Sequence, residues 1–547
     1  MKVLSSILFS LFALSLSAQD SLPEQYIFRV YLKDKGAVNY SVEKPLEFLT
    51  QTAIDRKKRQ KAGVDPSDFP ISSDYFHQMT LNNAKVVAFS KWFKTFSVQL
   101  NDSSQIAGIA SLPFVDSVKY VWRGQMRNDI PDTRPRLRMP SCDEIMASGN
   151  PFGNAEAQFK LHNAQTMIQA GFRGKGINVA VIDAGFANVD VIPYFSRTNI
   201  VGAKSFVPTG HLFSASEHGT KVLSAMAINY PGIMMGSAAE ANYLLLRSED
   251  VRSEFPVEED YWVRAIEYAD SVGVDLVNTS LGYYSFDDKS LNYSHSQLTG
   301  RVSLMSLAAD KAFDKGMIVV CSAGNEGAKP WGKVTSPGDA VNVLTVGAIG
   351  LDSTIVSFSS RGLTADRRIK PDVVSIGRQT VSIGEDGLLG HASGTSLSSP
   401  FFAGLVASLW SINPDLHRSR IIDIVRQSSG RYLKPDTVYG YGIPDFRKAM
   451  VEMLRSLPEH SAQVSDSTCH ILPRDEGYVV QLQNPKFLSS FSLFPVEIIN
   501  EKGELVLRAN FENQHEAQIP FIKKEKGKAL FFVLRNPLQQ KIYKVVP

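Results

Sequence analysis

The central part of this 547-residue chain is predicted to form an α/β domain, a doubly wound and mostly parallel sheet with helices on both faces. Segments of strand type alternate with segments of helical type between residues 178 and 348. This alternation implies right-handed crossovers between parallel strands. The unbroken apolar run Val179–Ile182 is typical of such a strand, because both of its faces are covered. We place the domain at residues 156–456.

Smaller units are predicted on either side of this domain. Residues 20–122 combine four strand-type runs with a short helical segment over 103–111, which predicts an α+β unit. Residues 462–547 carry several short β-type runs, two of them joined by the turn signal Asn500–Gly503, and predict a small all-β, sandwich-like domain. The proline-containing stretch 123–155 is predicted to be an exposed linker.

The first 19 residues are predicted to be a secretory signal. Lys2 gives the positive start, Ile7–Leu16 the apolar core, and Ala18 the small residue near the cleavage point. The core is too short for a comfortable membrane span, and no later segment has the length and apolarity of one. We therefore expect an exported protein without a transmembrane helix, secreted or associated with the cell surface.

Charge and cysteine content argue against several function classes. The chain carries 58 Lys and Arg residues against 55 Asp and Glu residues, and this net charge of +3 gives no indication of a nucleic-acid partner. Three cysteines are too few for a disulfide framework, and no Cys/His spacing suggests a metal site. Cys321 is predicted to be a small buried residue. Cys142 and Cys469 either pair or remain two free thiols.

A basic run, Arg56–Lys61, lies in a stretch (residues 45–80) that fits no element of the α+β pattern. Such a run is usually a solvated helix face, and a processing or binding patch is the alternative. We expect the solvated face.

A serine nucleophile is indicated by the run from His391 to Pro400, in which small residues crowd around Ser396. The apolar segment Phe401–Ala407 follows, so Ser396 is predicted at the start of a buried helix. Small neighbours let the backbone approach a substrate closely. The free N–H groups of a helix N-terminus favour negative charge that develops there. Pro400 is expected to lie early enough in the helix to be tolerated.

A serine hydroxyl needs a base, and the base needs a group that orients it. Asp183 ends the apolar strand, at the edge where open α/β sheets place their sites. His218 opens a further helical segment and is followed by glycine. A single histidine is more often a core or surface residue, but three such elements in one chain are hard to explain in that way.

These stretches resemble the three signature motifs of the subtilisin-like serine proteases, the subtilase family. The motifs are Asp183-Ala184-Gly185, His218-Gly219-Thr220 and Gly394-Thr395-Ser396-Leu397-Ser398-Ser399-Pro400. The resemblance covers roughly residues 156–456. The sequence departs from the family at Leu397, where methionine is commonest, and at Lys221, where a second histidine is often found.

The resemblance implies roles for further residues. Asn325 stands in the place of the family's oxyanion-stabilising amide, with the backbone N–H of Ser396 as the second donor. Two strands are similar to the walls of the family's substrate pocket, and their residues are Ser280, Leu281, Gly282, Ser322, Ala323 and Gly324. Thr335 falls where a glycine often leaves this pocket deep. We therefore expect a preference for medium-sized apolar side chains, with the rim carboxylate of Glu326 mattering less than shape.

A serine endopeptidase is thus implied, acting on protein or peptide substrates through an acyl-enzyme on Ser396. Its chemistry requires no cofactor, and structural calcium, common in the family, stays open because no dense Asp/Asn loop establishes it. One alternative is a subtilase-fold scaffold without catalysis, but nucleophile, base and oxyanion donor are all present. Another is an α/β-hydrolase esterase. Such an enzyme would need Gly-x-Ser-x-Gly around the serine and the order Ser, Asp, His, and neither is found around Ser396.

The flanking units acquire expected roles from the same resemblance. Residues 20–122 resemble the inhibitory propeptides that precede subtilase domains, assist their folding and then occupy the active-site cleft. The protein is therefore expected to be a zymogen that is activated by a cut within residues 123–155. Residues 462–547 faintly resemble the sorting domains of type IX secretion in Gram-negative bacteria. The alternative is an accessory β-domain that supports or anchors the protease.

Overall fold

The computed structural model describes residues 24–125, 132–138, 149–461, 463–474, 477–483, 495–510, 516–520, 522, 527–535 and 540–547. The predicted signal (residues 1–19) and Cys142 lie outside these residues. Within them the predicted order is confirmed: an α+β unit, a large α/β domain and an all-β unit follow one another along the chain.

The N-terminal unit is an antiparallel sheet with helices on it. Its elements are β1 (Gln25–Leu32), α1 (Gln51–Arg59), α2 (Ser73–Leu81), β2 (Lys85–Ser90), β3 (Thr95–Leu100), α3 (Ile106–Ala110) and β4 (Val115–Gly124). The strand order is β2-β3-β1-β4. Alternate side chains of β3, Phe96 and Val98, point into one core together with Met79 and Ile109 from the helices.

The α/β domain carries seven long parallel strands and three short antiparallel pairs. The long strands are β5 (Asn178–Asp183), β6 (Asn199–Ser205), β9 (Asn242–Arg247), β10 (Leu276–Thr279), β11 (Ile318–Ser322), β12 (Leu344–Ile349) and β15 (Val373–Ile376). The pairs are β7 (Asn229–Tyr230) with β8 (Met234–Met235), β13 (Gly362–Leu363) with β14 (Ile369–Lys370), and β16 (Thr380–Ile383) with β17 (Leu389–Ala392). The helices are α4 (Glu156–Leu161), α5 (Gln165–Gln169), α6 (His218–Ala227), α7 (Val257–Val272), α8 (Leu304–Asp314), α9 (Thr395–Trp410), α10 (Arg418–Ser428) and α11 (Phe446–Arg455).

The large sheet has the strand order β15-β12-β11-β10-β5-β9-β6, and every pairing in it is parallel. Its two faces are covered by separate cores. In β5, Val179 and Val181 pack into the core that contains α6 and α9, whereas Ala180 and Ile182 pack into the core that contains α7 and α8. The continuous apolar run of this strand is therefore explained by burial on both sides.

Helix α9 is buried along its whole length, from Thr395 to Trp410. Its small residues allow this burial, since a Cβ atom on Gly404 would come within 2.0 Å of Ser237 Oγ. Pro400 is the sixth residue of the helix. It therefore lies beyond the first turn, later in the helix than the early position that we expected. Because proline lacks an N–H, the carbonyl of Ser396 loses its helical partner and instead accepts a hydrogen bond from Ser280 Oγ at 3.1 Å.

The C-terminal unit consists of two sheets over a shared apolar core. Its strands are β18 (Glu459–Ser461), β19 (Val464–Ser465), β20 (Cys469–Arg474), β21 (Gly477–Leu482), β22 (Pro495–Asn500), β23 (Leu505–Asn510), β24 (Glu516–Pro520), β25 (Leu530–Arg535) and β26 (Gln540–Val546). The sheets are ordered β18-β26-β25-β22-β23 and β19-β20-β21-β24. Phe531 and Val533 of β25 join the core of the α/β domain, so this unit packs directly on that domain.

The prediction that the basic run Arg56–Lys61 is a solvated helix face is wrong for its first two residues. Arg56 and Lys57 in α1 are buried, at 0% and 2% exposure, against Asp270 of α7. Arg56 forms an ion pair with Asp270 and also donates to the Val274 carbonyl at 2.6 Å. The acidic partner that Arg56 and Lys57 share lies more than 200 residues away in the sequence, and the pattern of α1 does not reveal it.

Other residues of the N-terminal unit contact the same helix, α7. Arg29 donates two hydrogen bonds to Asp260, at 2.6 and 2.8 Å. Glu267 accepts hydrogen bonds from the backbone N–H groups of Lys91 and Trp92, at 2.9 and 3.0 Å. The N-terminal unit is therefore held on α7 by buried charged groups as well as by apolar packing.

Several expectations concern membrane spans, metals and cysteines. Among the helices in the described ranges, none is both long and apolar enough to cross a membrane. The part of the chain that the structure describes contains no group of three or more His, Cys, Asp or Glu side chains placed to hold a metal ion. Cys321 and Cys469 are both buried free thiols, as predicted for Cys321.

The ion pair between α1 and α7 predicts that Arg56→Ala loosens the N-terminal unit. Removing one partner of a buried pair leaves Asp270 buried without its main compensating charge, a change that typically costs about 3–5 kcal/mol. We expect faster amide hydrogen exchange throughout β1–β4 in the full chain carrying Ser396→Ala, which prevents any self-cleavage. Lys58→Ala, an exposed position on the same helix, is the control and should leave exchange unchanged. Equal exchange in both variants would contradict the role of Arg56.

Candidate active site

Three elements bring the predicted catalytic residues to one edge of the parallel sheet. Asp183 is the last residue of β5, His218 is the first residue of α6, and Ser396 is the second residue of α9. The carboxyl ends of parallel strands meet at one edge of a sheet, so a strand-terminal carboxylate and two helix N-termini are gathered there. Helices α6 and α9 pack against each other.

Asp183 and His218 are joined by a direct hydrogen bond. Nδ1 of His218 lies 2.7 Å from Oδ1 of Asp183. The Asp183 side chain is fully buried, and its Oδ1 also accepts the backbone N–H of Ala184 at 2.8 Å. This bond fixes the ring and leaves Nε2, on the opposite side of the imidazole, available for proton transfer.

The charges around His218 favour its protonated form. Burial by itself lowers the pKa of His218, but the Asp183 carboxylate, its hydrogen bond and the Glu249 carboxylate outweigh burial and raise this pKa to about 9. Burial and the charge of Asp183 in turn raise the pKa of Glu249 to about 7. The site therefore stabilises an imidazolium cation.

Asn325 is held in one orientation by Thr395. Its Oδ1 accepts hydrogen bonds from the backbone N–H and from Oγ1 of Thr395, at 2.9 and 3.0 Å. The Thr395 hydroxyl oxygen also accepts from the backbone N–H of Gly324 at 3.2 Å. With the oxygen fixed in this way, the Nδ2 donor group of Asn325 is turned away from Thr395, and no described residue accepts a hydrogen bond from it.

Ser396 and the Asn325 amide border the same small space. A Cβ atom on Gly394 would lie 2.8 Å from Ser396 Oγ and 3.7 Å from Asn325 Nδ2. Any side chain at residue 394 would therefore fill the space between the hydroxyl and the amide. This explains the need for glycine two residues before the serine.

A cavity of about 330 Å³ extends from His218 along the edge of the sheet. Its lining residues are Ala184, Ser216, His218, Glu249, Val251, Ser280, Leu281, Gly282, Ser322, Gly324, Asn325, Glu326, Thr335 and Thr395. Five of the six predicted pocket residues are among them. The sixth, Ala323, is fully buried and does not line the cavity. It supports the wall from behind, because its backbone carbonyl accepts the N–H of Thr335.

Thr335 lies between the two walls of this cavity. A Cβ atom on Gly282 would come within 2.2 Å of Thr335 Oγ1, and one on Gly324 within 3.0 Å. Only glycine at these two positions leaves room for the threonine. The Glu326 carboxylate at the rim is already engaged, since it accepts from Tyr284 Oη at 2.7 Å and from Lys329 Nζ at 3.0 Å.

Sequence reasoning missed Glu249 and Val251. Both follow β9, whose end pairs with the end of β5, and the backbone N–H of Ser248 donates to the Asp183 carbonyl at 3.0 Å. The rule that sites lie at the carboxyl ends of parallel strands could have pointed to Glu249, because it follows such a strand by two residues.

Comparisons with known proteins agree with this geometry. The family model described as "Subtilase family" matches residues 174–442, and that described as "Peptidase S8 propeptide domain, Bacteroidota" matches residues 27–135. Subtilisin E of Bacillus subtilis (strain 168) is 28% identical over 307 residues, which are 55% of this chain and 72% of that protein. The serine protease AprX of the same strain is 26% identical over 320 residues, 53% of this chain and 68% of that protein.

The fold has also been observed in solved structures. The crystal structure of the epidermin leader peptide processing serine protease (EpiP) from Staphylococcus aureus superposes with a TM-score of 0.52 at 16% sequence identity. The superposition covers 78% of this chain and 98% of the EpiP chain. The chain therefore belongs to the subtilase family of serine proteases and carries an S8 propeptide domain in front of its protease domain.

Proposed function

We propose that the protein is an exported serine endopeptidase that hydrolyses peptide bonds through an acyl-enzyme on Ser396. The observation that carries the proposal is the pair of oriented groups beside this serine. Asp183 fixes His218 through a 2.7 Å hydrogen bond, and Thr395 turns the Asn325 amide towards the space next to Ser396 Oγ.

The first half of the reaction forms the acyl-enzyme. Ser396 Oγ attacks the scissile carbonyl carbon while His218 Nε2 accepts the hydroxyl proton. The resulting imidazolium donates that proton to the leaving amine, the C–N bond breaks, and the ester on Ser396 remains. In the second half, water attacks the ester carbon while His218 takes a proton from the water. The bond between the acyl carbon and Ser396 Oγ then breaks, His218 returns the proton to Oγ, and the carboxylic acid product leaves. Asp183 holds the ring and stabilises its cation throughout.

Two donors support the oxyanion of each tetrahedral intermediate. Nδ2 of Asn325 supplies one. The backbone N–H of Ser396 supplies the other, because N–H groups in the first turn of a helix have no partner within the helix. Side chains and backbone groups of the chain carry every proton and every partial charge in this scheme, so the proposed chemistry requires no cofactor.

The N-terminal unit is proposed to inhibit the protease that it precedes. Its contacts with α7 hold β4 beside the cleft, where Trp122 Nε1 lies 3.3 Å from Ser253 Oγ and the indole packs near Phe255. The signal-like segment 1–19 supports export. For the C-terminal unit, the proposal is the accessory role, because Phe531 and Val533 anchor it in the protease core.

The oxyanion proposal predicts that Asn325→Ala lowers kcat with little change in KM, because the lost bond forms only in the transition state. The expected loss is roughly 10²- to 10³-fold, the range known for removal of the oxyanion donor of a subtilisin. Hydrolysis of an internally quenched peptide by the mature enzyme measures it. Glu452→Gln, a partly exposed position on the remote helix α11, is the control. Unchanged kcat in Asn325→Ala would contradict the assignment.

The electrostatics of His218 predict the effect of Glu249→Gln on the pH profile. The base acts as neutral imidazole, so activity rises as pH increases through the pKa of His218, which the ionised Glu249 raises. Removing that charge should lower the pKa and move the acid limb of kcat/KM to lower pH. Glu452→Gln on the remote helix α11 should not move it. A shift of the acid limb to higher pH would show that Glu249 acts in some other way.

The position of Thr335 predicts the preference for the residue before the cut. With threonine between the walls, we expect medium-sized apolar residues such as Leu or Met to be preferred over Phe or Trp. Thr335→Gly should raise kcat/KM for Phe relative to Leu about tenfold or more, because the enlarged pocket buries more of the ring at about 25 cal/mol per Å². Thr335→Ser, which keeps the hydroxyl, should change the ratio much less. A peptide series varied at this one residue tests the prediction, and equal ratios in both variants would refute it.

A further inference from the structure

A second cavity, of about 690 Å³, is lined by Glu217 and Lys221, the residues just before and three after His218 in the sequence. It runs between the start of α6 and the β16–β17 hairpin, and we call it the acidic groove. Three carboxylates line it: Glu217 beside α6, and Glu385 and Asp386 at the tip of the hairpin. Asp190 lies just beyond it, on the loop that follows β5.

A basic stretch of the chain itself, residues 132–138, lies along the acidic groove and forms part of its wall, since Pro135, Arg136 and Arg138 line the cavity. Arg134 Nη1 lies 2.7 and 2.9 Å from the two carboxylate oxygens of Asp190. Asn188 Nδ2 donates to the Pro135 carbonyl at 2.8 Å, and the backbone N–H of Arg138 donates to the Asp386 carbonyl at 2.8 Å. Both backbone and side chains of this stretch are therefore bound, as in a peptide that lies in a binding groove.

The carboxylates of the groove destabilise one another. Burial raises the pKa of Glu385, and the charges of Glu217 and Asp386 raise it further, while Lys221 opposes them. Lys221 is itself paired with Glu217. A guanidinium in the groove relieves this repulsion, and the basic stretch offers Arg136 and Arg138 there.

The direction of the chain relates the groove to the scissile bond. Strand β4 reaches the cleft on the side of Ser253 and Phe255, which follow the cavity residues Glu249 and Val251. The next described stretch, residues 132–138, contributes to the acidic groove with Glu217 and Lys221, whereas Ser216 and His218 line the other cavity. A substrate that follows the same direction places its residues before the cut in the cleft and its residues after the cut in the acidic groove.

We propose that the acidic groove is a substrate subsite for the leaving-group side, selective for extended peptides that carry Arg or Lys residues several positions after the cut. Residues 132–138 of the chain itself are an example of such a peptide. The inference rests on the proposed endopeptidase function and adds a substrate class to it. Both side chains of the Arg134–Asp190 ion pair are about one-third exposed. Each charge therefore changes kcat/KM only a few-fold, and the selectivity arises from several charges acting together.

Mature wild-type enzyme and three internally quenched peptides test the proposal. All share one N-terminal half that is cleaved. One ends in the sequence of residues 132–138, one has its three arginines replaced by glutamate, and one stops before this stretch. We expect kcat/KM for the arginine peptide to exceed that for the glutamate peptide by about tenfold at low salt. The ratio should fall towards one as salt is raised, because the charges are exposed.

Enzyme variants assign the preference to the groove. In the double variant Asp190→Asn/Asp386→Asn, the ratio of kcat/KM for the arginine peptide to that for the glutamate peptide should drop at low salt to about threefold or less. Glu452→Gln on α11 should retain the wild-type ratio. If the wild-type ratio is near one while the short peptide is still cleaved, the acidic groove is not a substrate subsite, but the proposed endopeptidase function stands. An undiminished ratio in the double variant also overturns the subsite. Failure to cleave any peptide would count against the proposed function itself.

Discussion

The complete burial of α9 is the constraint on which the site depends. A helix that passes through the core beside four strands of the sheet cannot shift without disturbing both the sheet and its neighbours, so its first turn is fixed in space. Several of its hydroxyl side chains find hydrogen-bond partners inside the protein: Ser399 Oγ donates to Asn278 Oδ1 at 2.8 Å, and Ser408 Oγ donates to the Ser237 carbonyl at 2.6 Å. Ser396, the second residue of α9, is therefore held in a fixed position.

The same helix also arranges the groups around the serine. Thr395 orients the Asn325 amide, and the carbonyl that Pro400 leaves free binds Ser280, a wall residue of the substrate cavity. The proposed nucleophile, oxyanion donor and substrate wall are thus connected by hydrogen bonds within two turns of one helix. Pre-organisation of this kind lets donors stabilise developing charge without rearranging during the reaction.

Much of this architecture follows from the sequence, because its signals are local. The apolar run of β5 and the small residues around Ser396 predict a buried strand and a buried helix whatever surrounds them. The burial of Arg56 could not be predicted in this way, since it depends on Asp270, which the fold brings into contact from a distant part of the chain. Glu249 was missed for a related reason: only the pairing of β9 with β5 shows that it lies beside His218.

The central claim is that Ser396 is the nucleophile and that His218 activates it. A fluorophosphonate probe, which reacts with activated serines, tests this most directly when the labelled site is identified by peptide mass spectrometry. We expect a single adduct on Ser396 in the mature wild-type protein, and strongly reduced labelling in folded His218→Ala. Labelling of another serine, or equal labelling of Ser396 in the two proteins, would contradict it.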